Sequence, residues 1–338
     1  MTEQIRTGEP IIIAEGLRKR YESNIAVDGI DLTVYAGEIF GILGPNGAGK
    51  TTTLEMMEGL RKPDQGSIQL AGFDAVTQID KVRPLIGAQL QTTALFDYLT
   101  AGELIELFAS LYHAPEPRVR GVKLLGMAGL LEKRDSRVHQ LSGGQQQRLS
   151  IALALVNDPL VAFLDEPTTG LDPGARRNLW QTIRDIRDSG TTVVLTTHYM
   201  EEAETLCDRV AVMDYGRVIA LDTPRALIRG LNAAATINAT TQNGAIALAR
   251  LETLPAVITA STQDSHLGLS TTDAQATMIG LLDLATRLNI RLADLRSSQA
   301  TLEDVFLSLT GREYEPQDGE PEPAETSEPR QSRRFGRG

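Results

Sequence analysis

The stretch "IFGILGPNGAGKTTTLEMM", residues 39–57, constrains the fold more than any other part of the chain. Its apolar opening has no alternation and reads as a short strand buried on both faces. Gly44, Pro45, Asn46, Gly47, Ala48, Gly49, Lys50 and Thr51 then fit G-x-x-x-x-G-K-[ST], and a helical run follows. Glycines here let backbone N–H groups crowd around phosphate oxygens, and a helix N-terminus adds partial positive charge. Lys50 can reach β- and γ-phosphates as a point charge. Thr51 offers a hydroxyl to Mg²⁺, and Thr52 can donate to phosphate. A strand that feeds such a loop and helix belongs to a βαβ unit, so an α/β core with a mostly parallel sheet is expected.

Strands are also expected in "IIIAEGLRKRY", "GIDLTVYAGEIFG" and "RKPDQGSIQLAG", and they return at "LVAFLDEP", "TTVVLTTH", "DRVAVMD" and "RVIAL". The early strands and a mainly helical middle read as two insertions on the parallel sheet. They give an antiparallel β subdomain and a helical subdomain over about residues 92–157 within a core of residues 1–227. "GARRNLWQTIRDIRD" sets Leu179, Ile183 and Ile186 on one helical face, with Trp180 as core filler. Residues 228–313 are expected to form a small C-terminal α/β domain without a chemical motif. Residues 314–338, rich in Glu, Pro, Asp and Ser and ending in Arg, are expected to be disordered.

A net charge of −11 argues against bulk binding to nucleic acid, because phosphates repel an acidic surface. The single cysteine, Cys207, leaves no intramolecular disulfide and fits a small buried apolar position. No run reaches the roughly 18 apolar residues of a membrane span, and the N-terminus lacks a signal-peptide core, so a cytosolic chain is expected.

"LVAFLDEP" adds two carboxylates: Asp165 to hold Mg²⁺, usually through water, and Glu166 to orient and polarise an attacking water. His198 ends "TTVVLTTH", where a neutral imidazole could bond a γ-phosphate or that water. Gln91, with Gln89 as an alternative in the same loop, is a weaker candidate, and Tyr21 could stack on a base. "LSGGQQQR", residues 141–148, puts Ser142, Gly143, Gly144 and Gln145 at the mouth of a buried helix. The stretch carries hydrogen-bond donors and flexibility but no general acid or base.

In order, these motifs resemble the nucleotide-binding domain of ATP-binding cassette (ABC) transporters over about residues 11–227. "GPNGAGKTT" is similar to its Walker A motif, "LSGGQQQR" to its signature and "VAFLDEP" to its Walker B. "GLD" at 170–172 resembles the D-loop, and "TTH" at 196–198 the stretch that ends in the switch histidine. By motif position Tyr21 resembles the adenine-stacking aromatic and Gln91 the Q-loop glutamine, a further contact to Mg²⁺. "EPTTGLDP", "THYMEEAE" and "TLEDVFLSLTG" are similar to the daunorubicin-resistance group of drug exporters.

The resemblance implies ATP and Mg²⁺ as ligands and a second copy of the chain as partner. The two copies would pair head to tail, with Ser142 and the Gly144 N–H of one covering the γ-phosphate held by the other. Asp172 would communicate between the two sites. A separate membrane-spanning permease and a place on the cytoplasmic face of the membrane are implied as well, with no nucleic acid. A soluble ABC ATPase of ribosomes or DNA, and an importer ATPase, are the alternatives; the single cassette and the exporter-type motifs speak against them.

Overall fold

The computed structural model describes residues 7–22, 24–89, 95–231 and 235–311. Three sheets organise it. A four-stranded antiparallel sheet combines β1 (Pro10–Tyr21), β2 (Asn24–Tyr35), β4 (Gln65–Leu70) and β5 (Phe73–Asp74) in the order β2-β1-β4-β5. The central sheet combines β3 (Ile39–Leu43), β6 (Ile86–Gln89), β7 (Val161–Leu164), β8 (Thr192–Thr197), β9 (Arg209–Asp214) and β10 (Arg217–Asp222) in the order β10-β9-β3-β8-β7-β6. Its β9-β3-β8-β7-β6 part is parallel, and β10 pairs antiparallel with β9.

Every residue of β3, β7 and β8 is buried, as continuous apolar runs require when both faces of a parallel sheet are covered. Successive side chains point to opposite faces, so each strand feeds two cores. Ile39, Ala162, Leu164, Val193 and Leu195 pack toward the helical side. Phe40, Ile42, Val161, Phe163 and Val194 pack toward α1 (Lys50–Met57) and the antiparallel sheet. The helical side contains α3 (Ala101–Leu111), α4 (Pro117–Met127), α5 (Gly143–Ala154) and α6 (Pro173–Asp188), with the short α2 (Ile79–Val82) lying before β6. Leu179, Ile183 and Ile186 are fully buried, and Trp180 joins the same core. Cys207 is buried; a Cβ on Gly41 would lie 2.6 Å from its sulfur, so the thiol fills a glycine gap. Burial pushes that thiol well above its usual range.

After α7 (Met200–Leu206) and α8 (Pro224–Gly230), the chain forms β11 (Ala235–Thr241), α9 (Leu248–Leu251), β12 (Val257–Gln263), β13 (His266–Thr271), α10 (Ala274–Arg287) and β14 (Leu292–Ser298). This is a split β-α-β-β-α-β unit with an antiparallel sheet in the order β12-β13-β11-β14. Its own core sets Ile237, Leu267 and Leu269 against Leu251 and Leu281.

Two expectations about domain limits change. The division between residues 227 and 228 falls inside α8, whose Leu227 and Ile228 pack on the core beside Leu43 of β3 and Val210 and Val212 of β9. The last helix, α11 (Leu302–Thr310), also returns to that core, because its apolar face, Leu302, Val305 and Phe306, packs against Met200, Ala203 and Val210. The segment 314–338 lies outside the described residues.

Candidate active site

The glycine-rich loop runs from the end of β3 into α1. Gly49 is the N-cap of α1 with φ +96°, and a Cβ there would sit 2.2 Å from the Ala26 carbonyl oxygen, so the position requires glycine. Gly44 is held by its N–H donating to the Thr197 carbonyl at 3.3 Å, and the Gly216 N–H donates to the Ala48 carbonyl at 3.0 Å. Strands β8 and β9 and the turn after β9 therefore shape the loop from below.

Lys50 is buried, and its Nζ donates to the Pro45 carbonyl at 3.2 Å and pairs with Glu166 at 3.3 Å. The two members of that pair respond differently to the site. Burial lowers the Lys50 pKa more than Glu166 and Asp165 raise it. Burial also raises Glu166, but His198 and Lys50 outweigh it and bring the carboxyl down to about 2. The carboxylate is the firmly ionised partner.

Asp165 and Glu166 follow β7 rather than belong to it. Glu166 has φ +44°, a left-handed conformation that costs a side-chain-bearing residue on the order of 1–3 kcal/mol. The turn sends its Oε2 to within 3.1 Å of His198 Nδ1 and of Thr169 Oγ1. Asp165 Oδ1 accepts from Thr51 Oγ1 at 3.2 Å and from Thr196 Oγ1 at 2.5 Å. Burial raises the Asp165 pKa, against the lowering effect of those two hydroxyls. Thr196 also accepts from the Glu166 N–H at 2.9 Å. It ties the two acids to β8, the strand just before His198, a role that sequence reading missed. The only available signal was the first threonine of "TTH".

Thr51 and Asp165 present a hydroxyl and a carboxylate oxygen side by side. Hard oxygen donors of this kind suit Mg²⁺, which binds through one or two protein oxygens plus phosphate and water.

The other half of the motif set lies apart. Ser142 is the N-cap of α5, its Oγ accepting from the Gln145 N–H at 3.4 Å while Gln145 Oε1 accepts from the Ser142 N–H at 2.9 Å. A hydroxyl used as an acceptor keeps its proton for a ligand. Gly143, Gly144 and Gln145 share a cleft with Gly170, Leu171 and Asp172, and no residue of the glycine-rich loop lines it. Asp172 caps α6, its Oδ1 accepting from the Gly174 and Ala175 N–H groups at 2.9 and 3.0 Å. Those bonds, the Ala175 one first, hold its pKa below the usual range.

Tyr21 ends β1 with its ring partly exposed and Arg61 and Lys19 at 5.2 and 6.0 Å from the ring centre. Gln91 lies outside the described residues, whereas Gln89 is buried at the end of β6.

With this geometry in place, similarity to known proteins is specific. Residues 27–169 match the family described as ABC transporter. The chain is 39% identical to the daunorubicin resistance ATP-binding protein DrrA3 of Streptomyces coeruleorubidus, over 89% of this chain and 96% of that one. It is 41% identical to the Nod factor export ATP-binding protein I of Ralstonia nicotianae, over 90% and 95%. Among solved structures, CbiO1 from Clostridium perfringens, part of an ABC transporter complex, superposes with TM-score 0.61 at 32% identity, covering 66% of this chain and 95% of that one. A dimeric structure of MJ0796, a bacterial ABC transporter cassette, superposes with TM-score 0.58 at 31% identity, covering 63% and 98%. The match to that family's model, and relatives near 40% identity along about nine-tenths of the chain, make this protein an ATP-hydrolysing member of the ABC transporter family.

Proposed function

We propose that the chain powers export through a separate membrane-spanning permease, and that it does so as a head-to-tail pair of copies closed by ATP. The observation that carries the pairing is the distance in function between the two half-sites. The loop with Lys50 and Glu166 can hold and attack a triphosphate, while Ser142 and the α5 N-terminus face a cleft lined by D-loop residues and by none of the loop's own. A second copy completes each site. The dimeric cassette structure among the matches supports this reading, and the relatives' names, drug resistance and Nod factor export, support the direction.

In this mechanism Tyr21 stacks on the adenine ring, and Gly44–Thr52 hold the phosphates. Thr51 and Asp165 would hold Mg²⁺, which would supply positive charge against the phosphates. Lys50 turns from Glu166 to the phosphates, which frees Glu166 to polarise the attacking water. His198, with Nδ1 on Glu166, orients the carboxylate and the γ-phosphate. By motif position Gln91 would add a further contact to Mg²⁺. Ser142 and the Gly144 N–H of the partner stabilise the charge that develops there. The N-terminal side of the helical subdomain exposes Phe96 and Tyr98, and α3 and its C-cap expose Leu111 and Tyr112. An exposed apolar surface of this kind suits a permease segment. Among the described residues no helix is long and apolar enough to cross a membrane.

The test is Glu166→Gln with saturating Mg-ATP, followed by light scattering after gel filtration. A stable dimer with nearly abolished hydrolysis is expected. A variant that stays monomeric rules the sandwich out.

A further inference from the structure

Helix α7 starts two residues after His198 and is gripped from two sides. On one side Glu202, fully buried, accepts from Trp180 Nε1 at 2.9 Å. Trp180 belongs to α6, the helix capped by Asp172 of the D-loop. On the other side Met200 and Ala203 pack against Leu302, Val305 and Phe306 of α11. That apolar contact is locked by a directional bond: the Leu302 N–H, at the first turn of α11, donates to Glu204 Oε1 at 2.6 Å across 98 residues of sequence.

The bond is well placed and costly. The N–H groups of a helix's first turn have no partner inside the helix, and its dipole favours a negative group there. Thr301 and Asp304 form a capping box at the same end, with the Thr301 N–H donating to Asp304 Oδ2 at 2.8 Å. Asp304 Oδ1 in turn accepts from Thr236 Oγ1 of β11 at 3.1 Å. A continuous chain of bonds therefore runs from the C-terminal sheet through α11 to α7. Glu201, Glu303 and Asp304 crowd Glu204 with like charge. A surface decoration would not be placed among three other acids; an acceptor needed at that N–H would.

We infer that the C-terminal unit positions the switch histidine. Helix α11, fixed on Glu204 and on the Met200–Ala203 face, sets the place of α7 and hence the approach of the imidazole to Glu166. Glu204 is a positioning residue that touches no nucleotide. The inference rests on the ATPase reading and adds a role for the C-terminal domain.

The experiment uses the full chain and a double-mutant cycle. Wild type and His198→Ala are each measured with and without Glu204→Ala for ATP turnover at saturating Mg-ATP. Turnover by wild type that Lys50→Ala abolishes is scored separately and tests the ATPase reading alone. Glu204→Ala is expected to lower kcat about tenfold with KM within about twofold, the loss of one hydrogen bond to a charged group. It should give no further loss in the His198→Ala background. Glu204→Gln keeps the acceptor, removes the repulsion and should restore most of the rate. Amide exchange over residues 199–206 should rise in Glu204→Ala and not in Glu204→Gln. A kcat for Glu204→Ala within about twofold of wild type, an equal fold loss without His198, or unchanged exchange in α7 overturns the inference.

Discussion

The Lys50–Glu166 pair makes a quantitative demand on nucleotide binding. Both side chains are nearly buried and 3.3 Å apart. At an effective dielectric constant of about 20, two unit charges at that separation attract by about 5 kcal/mol before desolvation is counted. Coupling energies of close charge pairs at interfaces run from about 1.5 to about 7 kcal/mol, and desolvation leaves the net gain of a buried pair well below its Coulomb attraction. Phosphate must take Lys50 away from Glu166, so part of each nucleotide's binding energy goes into breaking the pair. Glu166→Gln weakens the competitor to a neutral dipole. ADP reports this cleanly, because it lacks the terminal phosphate that the partner's signature would cover. The variant should bind Mg-ADP about tenfold more tightly than wild type, as a gain of about 1.4 kcal/mol requires. Isothermal titration calorimetry on dilute protein measures it. Equal or weaker ADP affinity in Glu166→Gln refutes the argument that Lys50 is held back by that carboxylate.

Other substitutions test the packing behind the site. Gly49→Ala, with φ +96° and a Cβ 2.2 Å from a carbonyl oxygen, should lose binding of a fluorescent ATP analogue, whereas Gly47→Ala, whose Cβ would meet nothing within 4 Å, should keep measurable binding despite backbone strain of about 1–2 kcal/mol. Trp180→Phe keeps most of the ring but removes the indole donor to Glu202 Oε1, so the denaturation midpoint should fall by the equivalent of about 1–3 kcal/mol. Glu58 is buried with no hydrogen-bond partner on either oxygen, and burial, then Asp165 and Glu55, push its carboxyl up to about 8. Its folded-state pKa is above its unfolded value, so unfolding releases a proton, and the Glu58 contribution to stability is lost as pH rises from about 4.5 to about 8, by on the order of 5 kcal/mol. Glu58→Gln should flatten that slope in urea-unfolding midpoints; an unchanged slope assigns the pH dependence elsewhere.

The glycine-rich loop of the candidate site is legible in the sequence because its geometry is local. A glycine at φ +96°, a lysine beside it and a strand before it must be contiguous, so "GPNGAGKT" carries its own context. Trp180 and Cys207 were readable as core from helical spacing and from apolar neighbours. Thr196 was harder to find, since its two bonds run to Asp165 and Glu166, some thirty residues earlier in the chain, and no spacing rule covers them. The backward turn at Glu166 was invisible too, because glutamate carries no preference for a left-handed backbone; the pull of His198, Thr169 and Lys50 on its carboxylate sets it. The weakest reading was the boundary at residue 227. Leu227 and Phe306 face one shared core, yet nearly eighty residues separate them, and the β-α-β-β-α-β unit between them has complete patterning of its own.

That return of α11 has a consequence for biosynthesis. Until Leu302, Val305 and Phe306 leave the ribosome, the nascent chain holds Met200, Ala203 and Val210 without their cover. About seventy residues separate the end of α8 from α11, a delay of roughly 4–14 s at common elongation speeds. During that interval the cassette is translated but not sealed, which makes it a natural client for a chaperone that shields apolar surface.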